Sequence, residues 1–153
     1  MRRASVFQVW NSMILAIALI PLAIFWAGRG EAFRPRVGEV DDTWPWHLLA
    51  SGIYLLAVAA TVAWVKWGGS KAAIAAIVAI AASAGAAMSF AEIGTAHAFE
   101  AGIAGLPVTV AVWILVYLAA ANAAWVGLFS LVLAVRTRHR RRDPRPRGAD
   151  RRR

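Results

Sequence analysis

Hydrophobic positions fall into four long runs separated by short polar stretches. Residues 6–27 carry only Gln8, Asn11 and Ser12 as polar side chains near their start; residues 47–67 are preceded by Trp44 and Trp46 and end on Trp64 and Trp67. Residues 72–93 hold Ser83, Ser89 and, near the end, Glu92, and residues 106–135 hold no charge at all. A helix needs about 20 largely apolar residues to cross a hydrocarbon core of roughly 30 Å, and each run meets that length. The last would be about 45 Å long at 1.5 Å per residue, so it must tilt or project beyond the lipid. No run alternates apolar and polar residues as a strand would. The pattern predicts an all-α integral membrane protein: a four-transmembrane-helix bundle over residues 1–135 and a basic tail over 136–153.

Composition agrees. The chain is 60% hydrophobic and 16% charged, more apolar than the roughly 45–50% of ordinary soluble domains. Its 153 residues allow one domain. It has no cysteine, which excludes disulfides, thiol nucleophiles and thiolate metal sites. Arginine outnumbers lysine 15 to 2, and alanine is abundant; both fit GC-rich coding and a bacterial source. The expected location is the bacterial cytoplasmic (inner) membrane, crossed several times.

Charge placement predicts the orientation. With the N-terminus inside, 14 of the 17 basic residues lie in inner segments: Arg2, Arg3, Lys66, Lys71 and the ten arginines from Arg136 to Arg153. The outer segments keep Arg29, Arg34 and Arg36, with six of the eight acids. Retained basic residues mark cytoplasmic loops, so N-in and C-in is the expectation, and tryptophans near the run ends suit the headgroup region. Met1-Arg2-Arg3 before an apolar run resembles a secretory signal. The run is long for one, and Phe25 spoils a cleavage site after Ala27, so it is read as a span.

Without a hydrophobic drive between them, helices in lipid associate through small-residue faces and polar contacts. Ala81, Gly85 and Ser89 are spaced by four in the third run, and Ala119, Ala123 and Gly127 in the fourth. This spacing predicts close packing of those two helices. Asn122 falls near the middle of the fourth run, where a carboxamide needs a hydrogen-bonding neighbour; Ser83 lies at similar depth. The expected packing residues are therefore Ser83, Gly85, Ser89, Asn122, Ala123 and Gly127. Pro21 is expected to kink the first helix, and Pro107 suits the first turn of the fourth.

The stretch SFAEIGTAHAFEAGIAGLP, Ser89 to Pro107, gathers Glu92, His97 and Glu100 between two apolar runs. In the expected topology it shares the outer side with Asp41, Asp42 and His47. The reading preferred is a hydrated outer rim, with Glu92 paired to Arg29, Arg34 or Arg36 and with Gly94, Gly102 and Gly105 reversing the chain. Zinc or copper suits imidazole and carboxylate together, but no dense spacing such as HExxH occurs. His47 and His97 could in principle ligate a haem, yet both lie at the span margins. No ionisable group occupies the middle of a span, which argues against a proton path. No GxSxG, P-loop or GxGxxG motif is present. No catalytic residue, metal or cofactor is expected.

The tail RTRHRRRDPRPRGADRRR carries ten arginines and two aspartates. Its prolines, glycine and low hydropathy predict disorder. Arg136, Arg138, Arg140, Arg141 and Arg142 are placed to meet anionic lipid; nucleic acid is disfavoured because no aromatic residue interleaves the arginines. The leading function is a small non-enzymatic four-pass protein acting through helix–helix contacts, as an accessory, scaffold or regulatory subunit or as a self-associating module. Its partners would be the bilayer, including anionic lipids, and other membrane proteins or itself. The alternative is a holin-like or toxin-like pore former, and a weaker one is a carrier or an outer-face metal or haem site.

Overall fold

Leu106 and Pro107 open one helix and Pro45 sits near the start of another, positions where the missing proline N–H is not needed. The computed structural model describes the backbone of residues 6–33, 38, 40–97 and 105–142 and the side chains of 17–30, 32–33, 38, 40–96 and 105–137. These residues form four helices: α1 (Val6–Ala32), α2 (Trp44–Lys66), α3 (Gly69–His97) and α4 (Leu106–Arg142). No strand occurs among them. Three helices, α2, α3 and α4, are long and apolar enough to cross a membrane; in α1 the described apolar segment is Ile17–Gly30. The chain therefore reads as a helical membrane protein.

The helices run alternately up and down. Only Trp67 and Gly68 separate α2 from α3, and Gly69 opens α3 with a φ of +61°, a conformation that favours glycine. Helix α3 lies between α2 and α4, while α1 lies against α4 and meets α2 chiefly through long side chains. One end of the bundle gathers the C-terminal ends of α1 and α3 and the N-terminal ends of α2 and α4. The other carries Lys66, Lys71 and Arg136.

Several boundaries differ from the sequence reading. Helix α3 continues past residue 93 to His97, so Gly94 is a buried helical residue and not part of a turn. Its missing side chain lets α4 come close: a Cβ there would meet Val112 Cγ1 at 3.2 Å and the Trp113 ring at 3.4 Å. Helix α4 continues through Arg142, so disorder from residue 136 is corrected to helix over the first seven tail residues. Arginine is a good helix former, cations suit a helix C-terminus, and the first proline beyond is Pro144. Residues 143–153 lie outside the described residues. Helix α1 is continuous through the buried Pro21.

Packing changes character along the bundle. Near the Arg29 end the core is large and aromatic, built from Phe25, Tyr54, Phe90, Val112 and Leu115. Phe90 stands edge-on to Phe25 at 5.6 Å and to Tyr54 at 6.1 Å. Toward the other end it narrows to Ala60, Ala76, Ala79 and Val126. The small-residue row of α3 does not form the seam predicted for it. Ala81 is exposed, and Gly85 faces Ile53 of α2 across 3.5 Å. Small residues surround most of α3, so their spacing alone does not choose a face; the buried row is Ala79, Ser83, Ala86 and Phe90. On α4, Ala119 is buried, Ala123 is half-buried, and Gly127 makes only ordinary contact with Ile80, at 3.8 Å.

Asn122 joins three helices. Its Nδ2 donates to Ser83 Oγ of α3 at 2.9 Å and to Thr61 Oγ1 of α2 at 2.8 Å. Thr61 in turn donates to the Ala57 carbonyl at 2.8 Å. Both amide hydrogens thus find acceptors, which removes the cost of a carboxamide in hydrocarbon.

The tightest glycine is Gly28, where a Cβ would run into Val108 Cγ2 across the α1–α4 seam. Val108 is 3% exposed and β-branched, so it has little room to turn aside. Gly28→Ala is expected to destabilise the fold by about 1–3 kcal/mol through overpacking, whereas Gly127→Ala should stay within about 0.5 kcal/mol. Thermal unfolding of both variants in one detergent checks this; equal melting temperatures would contradict it.

Candidate functional site

The polar residues of the bundle concentrate where α1 ends and α2 begins. On α1, Ala18, Leu22, Phe25 and Arg29 recur at intervals of three to four, so the arginine continues the buried face. On α2, His47, Ser51, Tyr54 and Thr61 share the inward face. The two rows meet in a ladder of hydrogen bonds. Tyr54 Oη donates to the Ala18 carbonyl at 3.1 Å, and Trp26 Nε1 donates to Ser51 Oγ at 2.9 Å. Ser51 Oγ in turn donates to the His47 carbonyl at 2.8 Å.

Arg29 forms the last rung. Its Nε donates to His47 Nδ1 at 2.8 Å, and its Nη2 donates to Asp41 Oδ2 at 2.8 Å. An imidazole nitrogen that accepts carries no proton, so this geometry holds His47 neutral with its proton on Nε2. The His47 side chain is 1% exposed and packs against Phe25 and Phe33, with ring centroids at 5.4 and 4.9 Å. The guanidinium also lies 5.8 Å from the Trp26 ring centre, within reach of a cation–π attraction. Charge, hydrogen bonding and aromatic contact converge on one cation that is only 11% exposed.

Asp41 is held from two directions. Thr43 donates to its Oδ1 through the hydroxyl at 2.6 Å and through the backbone N–H at 3.2 Å. The Thr43 hydroxyl bond and then Arg29 hold the carboxyl below its ordinary value of 3.8, against an opposing effect of burial. Thr43 occupies the N-cap of α2, yet its side chain makes no cap bond because it serves Asp41 instead.

Next to this network an open cleft of about 330 Å³ separates the first turns of α2 from the last turns of α3. Trp46, His47 and Leu49 line it from α2; Ser89, Glu92 and Ile93 line it from α3. A second groove of about 490 Å³, almost wholly apolar, runs along α2 past Pro45, Gly52 and Leu56, and Leu49 borders both.

The residues assigned to an outer polar cluster therefore have different places. His47 is a buried member of the arginine network and not a solvated rim group. Asp41 belongs to that network, while Asp42 is exposed. Glu92 is exposed at the cleft; Arg29 pairs with Asp41, and Glu92 has no ion-pair partner among the described residues. His97 ends α3, with its side chain outside the described residues, as are Glu100, Arg34 and Arg36. Ser89, expected at a helix seam, borders the cleft. Among the described residues no three His, Asp or Glu side chains gather as a metal site. The sequence reading took Trp26 only as a tryptophan at headgroup level and passed over Ser51, Tyr54 and Thr61, although the 4-3-7 spacing from His47 on α2 carried the signal for those three. Comparison with family models, curated proteins and solved structures found no match to this chain.

The Asp41 shift sets a pH dependence. A carboxyl whose folded pKa is depressed contributes stability that is fully present above its unfolded pKa and lost as pH falls through the folded value. Asp41→Asn should melt below wild type at pH 7, and the gap should shrink as the pH drops below 3.8 toward 2. Melting curves across that range test it; a gap of constant size would contradict the assigned role of the carboxylate.

Proposed function

We propose that the chain is a four-pass, non-enzymatic protein of a bacterial inner membrane that acts through helix–helix contact. It would serve as an accessory, scaffold or regulatory subunit or associate with itself. In this reading α1 is the fourth span, both termini lie in the cytoplasm, and the Arg29 end faces outward. The charge bias supports this orientation: Lys66, Lys71 and Arg136 share the opposite end, and the other C-terminal arginines follow Arg136 in sequence. Arg136, Arg138 and Arg140 to Arg142, on the projecting turns of α4, would meet anionic headgroups.

The observation that carries the contact reading is Tyr117. It lies 11 residues into α4, roughly 16 Å from Leu106 at 1.5 Å per residue, and so near mid-membrane. Yet it is 72% exposed, and its hydroxyl has no hydrogen-bond partner among the described residues. A phenol facing hydrocarbon there leaves a donor unsatisfied, and a neighbouring helix that accepts from it removes that cost. Exposed Ala120, Ala121 and Ala124 one and two turns along let such a helix approach.

The test combines topology with contact. Reporters at Gly38 and Gly102 should read outside and one at Arg153 inside. A photo-crosslinker at position 117 should trap one defined protein or a second copy of this chain, while one at the buried position 115 should not. An inside signal at Gly38 would contradict the topology; capture of lipid alone from position 117 would contradict helix contact. Dye leakage from vesicles bearing the purified protein would favour the pore reading instead.

A further inference from the structure

The cleft beside Glu92 and the apolar groove along α2 form one amphipathic feature, because Leu49 lines both. We infer that it binds a bilayer lipid whose headgroup carries an ammonium group: the head in the cleft against Glu92, the chain along the groove.

Charge selects the head. No arginine or lysine lines the cleft among the described residues, and Arg29, which bonds the lining His47, is already committed to that imidazole and to Asp41. Glu92 therefore leaves the cleft a carboxylate with no ion-pair partner among the described residues. An anionic head would meet that carboxylate with no free cation among the described residues to offset it. An ammonium donates a charge-assisted hydrogen bond to the Glu92 carboxylate, with the Ser89 hydroxyl and the exposed Trp46 ring as secondary contacts. A volume of about 330 Å³ is at the lower end of small-ligand sites and suits a headgroup more than a whole lipid.

The groove supplies the rest. From Pro45 to Leu56 it follows α2 for roughly 16 Å at 1.5 Å per residue, about half the thickness of a hydrocarbon core. Its lining is Trp44, Leu48, Gly52, Ile53 and Leu56, with little polar surface. Gly52 forms its floor: a Cβ there would meet nothing within 4 Å, so the space belongs to the groove and not to a neighbouring helix. Trp44 and Trp46, both exposed at the start of α2, set this mouth at headgroup level.

This inference rests on the membrane reading above, and one experiment separates the two. The full-length protein in a non-ionic detergent is titrated with phosphatidylethanolamine, phosphatidylglycerol or chainless ethanolamine, and adducts are counted by native mass spectrometry. Wild type should take up one phosphatidylethanolamine saturably, with ethanolamine at least tenfold weaker. Glu92→Gln should weaken that adduct about tenfold while leaving phosphatidylglycerol adducts unchanged. Gly52→Leu, which fills the groove at an open position, should weaken it similarly. Helical content and melting temperature confirm that both variants stay folded. Equal affinity for the two lipids, an adduct indifferent to both substitutions, or equal binding of ethanolamine would overturn the inference. Failure of the protein to enter vesicles in a separate reconstitution would instead sink the membrane reading itself.

Discussion

One guanidinium ties the bundle together at its polar end. Arg29 is nearly enclosed, and a charge in that position is costly unless it is paired and fully hydrogen-bonded. Asp41 supplies the opposite charge and accepts from Nη2, His47 accepts from Nε, and the Trp26 ring lies within cation–π reach. Each partner is held in turn: Asp41 by Thr43, His47 by the first turn of α2, Trp26 by Ser51. The start of α2, the end of α1 and the wall of the cleft are therefore positioned by the same group.

This constraint explains why the α1–α2 seam differs from the others. Where Gly28 meets Val108 and Gly94 meets Val112, backbones approach closely because there is no side chain to hold them apart. The α1–α2 seam cannot close in that way, since Arg29, Trp26, Phe25 and Tyr54 stand in it. It holds the edge-to-face pair of Phe25 with His47 and is stitched by hydrogen bonds at successive turns. Further along, Asn122 draws α2, α3 and α4 together through Thr61 and Ser83. Polar side chains thus specify which helices are neighbours, and alanine and glycine set how near they come.

Much of this was legible in the sequence, and the rest was hidden for definite reasons. The long apolar runs announced the helices because burial in lipid demands both length and hydropathy. Asn122 pointed to Ser83 because equal depth is a one-dimensional property. The small-residue stripe on α3 misled because that helix has neighbours on two sides and small residues nearly all round. His47 was misread as a rim residue because its position near a span end says nothing about which way it faces. The clue lay in the row His47, Ser51, Tyr54 and Thr61, which puts every polar side chain of mid-α2 on one face. Arg29 looked like a loop charge because its partner, Asp41, is 12 residues distant and reaches it only through the fold.

Arg29 and His47 act as one unit. A double-mutant cycle of Arg29→Met and His47→Phe, read by reversible unfolding in a single detergent, measures it most directly. Residues sharing one hydrogen-bond network couple by about 0.5–3 kcal/mol, and the Arg29–His47 coupling is expected in that range. Strict additivity, with the double variant equal to the sum of the singles within about 0.3 kcal/mol, would contradict it.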